Sequence, residues 1–137
     1  MERDPEVMRH IPFSAPDSGL LLDDPSLGYW AIEERSGGAP YGWVALKTLY
    51  RTNEIEIGYR LWPAAWGRGI ATEAARRLLR YGFDDAGLRR IVAVTTRANT
   101  ASRRVIEKLG MPLEKIMVFD GVEWLNYALS HLPPAVA

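Results

Sequence analysis

The most informative stretch of the chain is Trp66-Gly67-Arg68-Gly69-Ile70-Ala71-Thr72-Glu73, which joins a predicted strand to a predicted helix. Its two glycines leave backbone N–H groups uncovered, and the first turn of the helix adds unpaired N–H groups and the positive end of the helix dipole. Arg68 supplies a charge that can reach a phosphate. The stretch therefore predicts an anion site suited to phosphate, with a purely structural turn as the alternative.

Two familiar nucleotide-binding motifs do not fit this stretch. A P-loop requires Gly-Lys followed by Ser or Thr, and no such run follows the glycines. A dinucleotide-binding fold requires a third glycine, where this chain has Thr72, and an acidic residue at the end of the next strand, where it has none. Both classes of nucleotide-binding protein are therefore excluded.

The residues on either side of the stretch predict a βαβ unit. Before it, residues 54–62 alternate apolar and polar side chains, as a half-buried strand does, and Gly58 within them predicts a bulge or a close backbone approach. After it, the apolar residues recur on one face of a helix: Ala71, Ala74, Ala75, Leu78, Leu79 and Phe83. The β-branched run Ile91–Thr95 then predicts a buried parallel strand, reached by a right-handed crossover.

The segments before this unit predict further strands of the same sheet. Residues 28–33 and 41–50 are rich in β-branched and aromatic side chains, and a turn at residues 36–38 separates them. Residues 17–24 predict a short helix, since Asp17 or Ser18 can cap it. These segments add two strands ahead of the βαβ unit.

The segments after it predict a helix and a C-terminal β-hairpin. The helix runs from Thr100 or Ala101 to Leu109 and ends at a glycine. Strands at residues 115–119 and 122–129 flank Asp120-Gly121, a strong signal for a two-residue hairpin turn. The predicted fold class is therefore mixed α/β (α+β), in a single domain spanning residues 1–137.

The composition excludes several classes of function. The chain has 137 residues, with 17 basic and 17 acidic side chains, so its net charge gives no reason to predict a nucleic-acid or membrane surface. It has no cysteine and only two histidines, far apart, so we predict no metal site. With no apolar run near the ~20 residues that span a bilayer and a charged N-terminus, the expected location is the cytoplasm.

Four blocks, taken in order, resemble the GNAT superfamily of N-acetyltransferases, and within it the RimJ/RimL-like branch. Glu56-Ile57-Gly58-Tyr59 resembles the family's fourth strand, and residues 66–74 resemble its pyrophosphate loop. Asn99-Thr100-Ala101-Ser102, followed by Val105-Ile106-Glu107-Lys108-Leu109-Gly110-Met111, resembles the branch's Asn-x-x-Ser…Lys-Leu-Gly-Phe block. Asp4-Pro5-Glu6-Val7-Met8-Arg9 resembles the end of the family's first helix.

The resemblance implies a GNAT fold with acetyl-CoA as co-substrate. In that fold a mixed central sheet splays between the two strands of a βαβ core, and the pantetheine arm enters the gap. By resemblance, backbone groups of Leu61 and Trp62 pair with the arm and Asn99 holds it. The pyrophosphate is held by the loop residues Gly67, Arg68, Gly69, Ile70, Ala71 and Thr72.

The resemblance also implies direct attack of a primary amine on the thioester carbonyl. Glu56, on the splaying strand, is the first choice for the general base, and Glu54 is the second. Either carboxylate could instead pair with Arg60 or Arg51 as a structural group.

Ser102 is the expected general acid near the CoA sulfur, with Tyr59 and Tyr127 as alternatives. The polar residues at the start of the second helix could equally be helix caps, since Asn99 or Thr100 suits that role.

Three expectations concern the chain as a whole. The family's opening strand and most of its first helix have no counterpart ahead of Met1, which predicts a bare sheet edge and gives a reason to form a homodimer. The acceptor is predicted only as a primary amine: a protein N-terminus, a peptide or a small molecule. A non-catalytic acyl-CoA-binding module of the same fold is the alternative function.

Overall fold

A computed structural model describes residues 5–11, 27–34, 41–49, 52–63, 66–67 and 69–131. The elements, in chain order, are β1 Pro5–Ile11, β2 Gly28–Glu34, β3 Gly42–Thr48, β4 Ile55–Leu61, α1 Ile70–Arg80, a π-helical turn Tyr81–Asp85, β5 Ile91–Thr95, α2 Thr100–Lys108, β6 Leu113–Phe119 and β7 Val122–Leu129. The predicted order of strands and helices from residue 28 onward is confirmed. The predicted helix at 17–24 and turn at 36–38 lie outside the described residues.

The strands form one seven-stranded mixed sheet in the order β1-β2-β3-β4-β5-β7-β6. Only β4 and β5 run parallel, with α1 between them in the chain, and the other neighbours are antiparallel. β6 and β7 meet at Asp120 and Gly121, whose φ angles of 52° and 76° are those of a type I′ hairpin turn. The predicted α/β class, βαβ unit and C-terminal hairpin are therefore confirmed.

The N-terminal segment is a strand, which corrects its predicted likeness to the end of a helix. Pro5–Ile11 pairs antiparallel with β2, from Pro5 opposite Glu34 to Ile11 opposite Tyr29. A proline is tolerated at the first position of an edge strand, because the N–H that it lacks is not needed there. Pairing with β1 covers the edge of β2 that was predicted to be bare.

The core lies on one face of the sheet, which we call the core face. Alternate strand residues supply it, for example Leu46 on β3 and Ile57 on β4. The predicted apolar face of α1 packs on it, and its buried members are Ala71, Ala74, Ala75, Leu78 and Leu79. Ile106 and Leu109 join the same cluster, so both helices cover the core face.

The predicted regular helix ends before Phe83. At Tyr81 it widens into the π-helical turn, where the Ala86 N–H donates to the Tyr81 carbonyl at 2.9 Å. Gly82 permits this turn to approach β5, because a β-carbon there would lie 2.8 Å from Ile91 Cδ1. Phe83 still packs against the core from this turn.

The sheet opens between β4 and β5, and this gap positions the site. β3 and β4 pair from Gly42 opposite Leu61 to Thr48 opposite Ile55, whereas β4 and β5 pair only at Glu56 opposite Val92. The bulge predicted at Gly58 is wrong, because the described ladder between β3 and β4 runs through it without a register shift. Beyond Glu56, β5 no longer pairs with β4, and the gap lies along this unpaired part of β4.

Candidate active site

A cavity of about 690 Å³ lies where β4 and β5 separate. Residues from β4, β5, α1 and α2 line it, together with Trp124 from the hairpin. Six predicted site residues are among the lining: Glu56, Leu61, Gly67, Ala71, Asn99 and Ser102. Of the other predicted site residues, Trp62, Gly69, Ile70 and Thr72 are described but outside the lining, and Arg68 lies outside the described residues.

The backbone N–H and C=O groups of successive β4 residues alternate between the two edges of the strand. Leu49 N–H donates to the Glu54 carbonyl at 2.9 Å, and Trp62 N–H donates to the Tyr41 carbonyl at 2.8 Å. Because alternate residues direct their backbone groups to the same edge, Tyr59 and Leu61 direct theirs into the gap. Of the two residues predicted to pair with the pantetheine arm, only Leu61 therefore faces the gap.

The Leu61 carbonyl already has a partner. The indole Nε1–H of Trp66 donates to it at 3.0 Å, and the indole itself is 65% exposed at the cavity. Trp66 therefore forms part of the wall beside the gap. The N–H of Leu61 and the second lone pair of its carbonyl oxygen remain for a ligand that lies along this edge of β4.

The predicted phosphate loop has the backbone that an anion site requires. Gly67 and Gly69 both have φ of 74°, the left-handed region that favours glycine. Gly69 is the N-cap of α1 and offers no side chain, and the first bond within the helix runs from Glu73 N–H to its carbonyl at 3.1 Å. The amides of Ile70, Ala71 and Thr72 therefore have no partner inside the helix. Ile70 and Thr72 are themselves buried, and Ala71 is the member of this turn that lines the cavity.

Two carboxylates on the same face of the sheet have different surroundings. Glu56 lines the cavity with its side chain 15% exposed, and Lys47 Nζ lies 4.0 Å from its Oε1. Burial raises the pKa of the Glu56 carboxyl above its usual value, and the charge of Lys47 opposes this. Glu54 is outside the lining and is held by Arg90 at 2.9 and 3.1 Å, an arginine that was not predicted as its partner.

The side chains of Tyr59 and Ser102 both face the gap. Burial raises the pKa of the Tyr59 phenol, and the interaction with the Ser102 side chain opposes the change. Both residues line the cavity, whereas Tyr127 is buried in the core and is outside the lining. Tyr59 was predicted only as an alternative acid, although its place in the alternation of β4 directs its side chain to the face that α2 covers.

Asn99 is the N-cap of α2, which confirms the capping role that was predicted as an alternative. Its Oδ1 accepts a hydrogen bond from the Ser102 N–H at 3.1 Å. The same contact holds Ser102 in the first turn of α2 and leaves its hydroxyl for Tyr59. Asn99 therefore caps α2 and also lines the cavity.

The described residues contain no group of three His, Asp or Glu side chains placed to hold a metal ion. Within the same residues, no helix combines the length and the apolar character needed to cross a bilayer.

Comparison with known proteins agrees with this geometry. The family model described as "Acetyltransferase (GNAT) domain" matches residues 1–112. The chain is 30% identical over 131 residues to the FsC-acetyl coenzyme A-N(2)-transacetylase of Aspergillus fumigatus. The match covers 81% of this chain and 55% of that protein. It is 35% identical over 89 residues to the uncharacterized N-acetyltransferase YoaA of Bacillus subtilis. This match covers 64% of this chain and 50% of that protein.

The solved structures give the same result for the fold. An acetyltransferase from Agrobacterium tumefaciens superposes with a TM-score of 0.70 and 25% identity, covering 87% of this chain and 74% of that one. The chain spans about half the length of the two curated relatives described above.

Proposed function

The chain belongs to the GNAT acetyltransferase family, and on that premise we propose that it transfers the acetyl group of acetyl-CoA to a primary amine by direct attack in a ternary complex. The observation that carries the proposal is the cavity between β4 and β5. One wall holds the buried carboxylate of Glu56, another holds the hydroxyls of Tyr59 and Ser102, and the wall at α1 adjoins a helix start whose first amides have no partner inside the helix. An acyl-CoA needs an anion site of this kind for its pyrophosphate.

The residues around the gap fit acetyl-CoA. The pyrophosphate is assigned to the backbone from Gly67 to Thr72, and Arg68 is assigned to it from its place in the sequence alone. The Leu61 N–H would pair with the pantetheine arm, since the backbone of Leu61 faces the gap while the N–H of Trp62 is bound to Tyr41. We therefore assign Trp62 no backbone contact through its N–H.

Glu56 is the proposed general base. The amine must lose a proton to attack, and its pKa is about 8 for an α-amino group and about 10.4 for a lysine. A carboxyl whose pKa is raised by burial accepts that proton more readily than an exposed one. The amine nitrogen then bonds to the acetyl carbon, and the C–S bond breaks as the CoA thiolate leaves.

Ser102 is the proposed general acid, with Tyr59 behind it. A thiolate near pKa ~8.5 needs only modest help to leave. The Ser102 hydroxyl would protonate the sulfur while it takes a proton from the neighbouring Tyr59 phenol, and the Tyr59 phenolate would regain its proton from solvent. The raised pKa of Tyr59 keeps its phenol protonated at neutral pH, as a donor must be.

The acceptor class and the branch rest on the sequence blocks. The Asn99-to-Ser102 block and the loop at 66–74 support a place in the RimJ/RimL-like branch, with a protein N-terminus, a peptide or a small amine as acceptor. The balanced charge supports a cytoplasmic protein that acts without nucleic acid or membrane.

A homodimer through β6 is also proposed. β6 lies at an edge of the described sheet and is exposed on both faces, with Val118 71% exposed on one and Phe119 41% exposed on the other. A two-fold axis normal to the sheet would pair this edge antiparallel with that of a second copy. Val118→Lys should then shift the protein toward the monomer in analytical ultracentrifugation, and an unchanged sedimentation coefficient would remove β6 from the interface.

Two measurements test the proposed reaction. In thermal unfolding, acetyl-CoA at a hundred times its Kd should add about 2.7 kcal/mol and several degrees to the midpoint, and ATP should not. In a thiol-release assay, primary amines should then produce free CoA. A midpoint shift with acetyl-CoA but no turnover with any amine would instead favour the acyl-CoA-binding module, and no shift at all would contradict both functions.

A further inference from the structure

Gly58 is a glycine that the backbone of β4 does not require. It lies in the middle of the strand, where a glycine lowers stability. It has no positive φ, and the ladder between β3 and β4 passes through it without a register shift. A β-carbon built on it would meet no atom of the described residues within 4 Å. The remaining reason for a glycine inside a strand is the close approach of a ligand.

The open space beside Gly58 lies on the side of the sheet opposite the core face, which we call the outer face. Ile57 and Tyr59 pack against the core, and alternate residues of a strand point to opposite faces. Glu56 and a β-carbon at Gly58 therefore both point to the outer face. Glu56 and Gly58 line the cavity, so this space is part of it.

Apolar side chains bound the space on the far side of the opening. Because Glu56 pairs with Val92 in parallel strands, Val94 lies level with Gly58 across the gap and points to the outer face. Val94 and Trp124 line the cavity there. On the other side of Gly58, its partner on β3 is Ala45, which is equally small.

The two faces of the gap serve different substrates in the proposed reaction. The pyrophosphate site at the start of α1 and the Ser102 hydroxyl on α2 belong to the core face, which both helices cover. The proposed base, Glu56, points to the outer face. Since the base must reach the nitrogen that attacks, the acceptor amine approaches on the outer face, where Gly58 leaves space.

Resting on the proposed transfer reaction, we propose that Gly58 is a specificity-determining position, whose missing side chain makes room for a side group on the carbon that bears the acceptor amine. The favoured acceptors are then primary amines on a branched carbon with an apolar side group. That group lies over Gly58 and contacts Val94 and Trp124, whereas an amine on an unbranched carbon leaves the space empty.

Three small amines test this proposal: glycinamide, alaninamide and valinamide. Their α-amino groups share a pKa near 8, so the demand on the base is matched and the side group alone differs. The kcat/KM of the wild-type protein should rise from glycinamide to valinamide. Gly58→Ala should lower it at least about tenfold more for valinamide than for glycinamide, with the KM for acetyl-CoA unchanged.

Stability separates this role from a structural one. Gly58→Ala should keep or raise the unfolding midpoint, because alanine loses less conformational entropy than glycine in a strand. Gly58→Val should extend the loss of kcat/KM to alaninamide. Ala45→Gly is the matched control: it makes the reverse change on β3, outside the cavity lining, and should lower the midpoint without changing the order of the three amines.

Several results would overturn the proposal. A Gly58→Ala variant with a lower midpoint and an unchanged order of amines would make Gly58 a structural residue. Equal losses for all three amines, or a higher KM for acetyl-CoA, would mean that the added methyl group disturbs the reaction or the cofactor. If the wild-type protein acetylates no primary amine, the transfer reaction itself fails, whereas a wild-type preference for glycinamide defeats this inference alone.

Discussion

The two ends of β4 differ in how completely their polar groups are paired. At its start, Glu54 is held by Arg90, which also binds Glu114 on β6 at 2.6 and 2.8 Å, so three segments are joined by one guanidinium. At its end, the backbone groups of Tyr59 and Leu61 face a gap instead of a neighbouring strand. Glu56 stands at the boundary, at the one position where β4 still pairs with β5.

This difference shows how one strand serves both a closed and an open part of the sheet. Glu54 and Glu56 are two residues apart on the same face, yet only Glu56 lines the cavity. Among the described residues, the ion pair of Glu56 is with the single amine of Lys47 at 4.0 Å, whereas Glu54 has the bidentate guanidinium of Arg90. The carboxylate of Glu54, bound through both oxygens, has a structural role. The carboxylate of Glu56, which is buried and only weakly paired, is suited to accept a proton.

The largest expected effect comes from Glu56→Gln. It removes the proposed base without changing size, so kcat should fall by about 10²–10⁴-fold while the Kd for acetyl-CoA stays within twofold. Glu54→Gln is the matched control at the closed end, where turnover should be nearly unchanged. Steady-state kinetics and calorimetric titration measure the two quantities, and equal losses in both variants would remove the distinction between the two ends.

The same pair of variants predicts a pH dependence. Because the base must be ionised, kcat/KM should rise as pH increases through the pKa of Glu56, which burial places above its usual value. Glu54→Gln should keep this acidic limb in the pH profile. The limb should be missing from the residual activity of Glu56→Gln, and its persistence there would assign it to another group.

The hydroxyl pair at the open end is expected to have a smaller effect. Ser102→Ala and Tyr59→Phe should each lower kcat about tenfold, because a thiolate is already a good leaving group. The double variant should lose little more than Ser102→Ala alone if the two hydroxyls form one relay. Independent, multiplicative losses would mean that Tyr59 acts apart from Ser102.

The glycine loop gives an effect on binding alone. Gly69→Ala places a β-carbon in a left-handed conformation, which costs about 1–2 kcal/mol; because the free loop can relax out of this conformation and must regain it to bind, acetyl-CoA binding should weaken by about five- to thirtyfold. Gly87→Ala introduces the same strain at φ of 71°, away from the cavity lining. It should therefore lower the unfolding temperature without changing the Kd. Similar Kd values for both variants would mean that the loop is only a turn.

The sequence predicts the parts of the molecule that depend on local periodicity. The apolar face of α1 and the Asp120-Gly121 hairpin turn follow from the spacing of residues and are confirmed. β1 was missed because its pairing partner is far along the chain, and a strand at an edge has little periodicity of its own. Gly58 was assigned a bulge because a mid-strand glycine often marks one, but here the gap comes from where β5 stops pairing.

The contacts within the site also could not be predicted from the sequence, because they join segments that are distant along the chain. Tyr59 on β4 and Ser102 on α2 come together only at the cavity, and the partner of Glu54 is Arg90, which is neither of the two arginines predicted as its partner. The open space beside Gly58 likewise exists only once β4 faces β5 across the gap.

The smallest expected effect is at the closed end. Arg90→Gln breaks the contacts to Glu54 and Glu114, whose side chains remain 29% and 39% exposed, so the unfolding midpoint at pH 7 should fall by only about 2–5 °C. Arg90 lowers the pKa of Glu114, so this stabilisation is complete above the ordinary carboxyl value of 4.5 and is lost as the pH falls below it. The difference in midpoint between variant and wild type should therefore shrink in acid, while the Kd for acetyl-CoA at pH 7 stays unchanged. A weaker Kd would mean that the guanidinium at the closed end also sets the width of the gap at the open end, and the two ends of β4 would then be coupled.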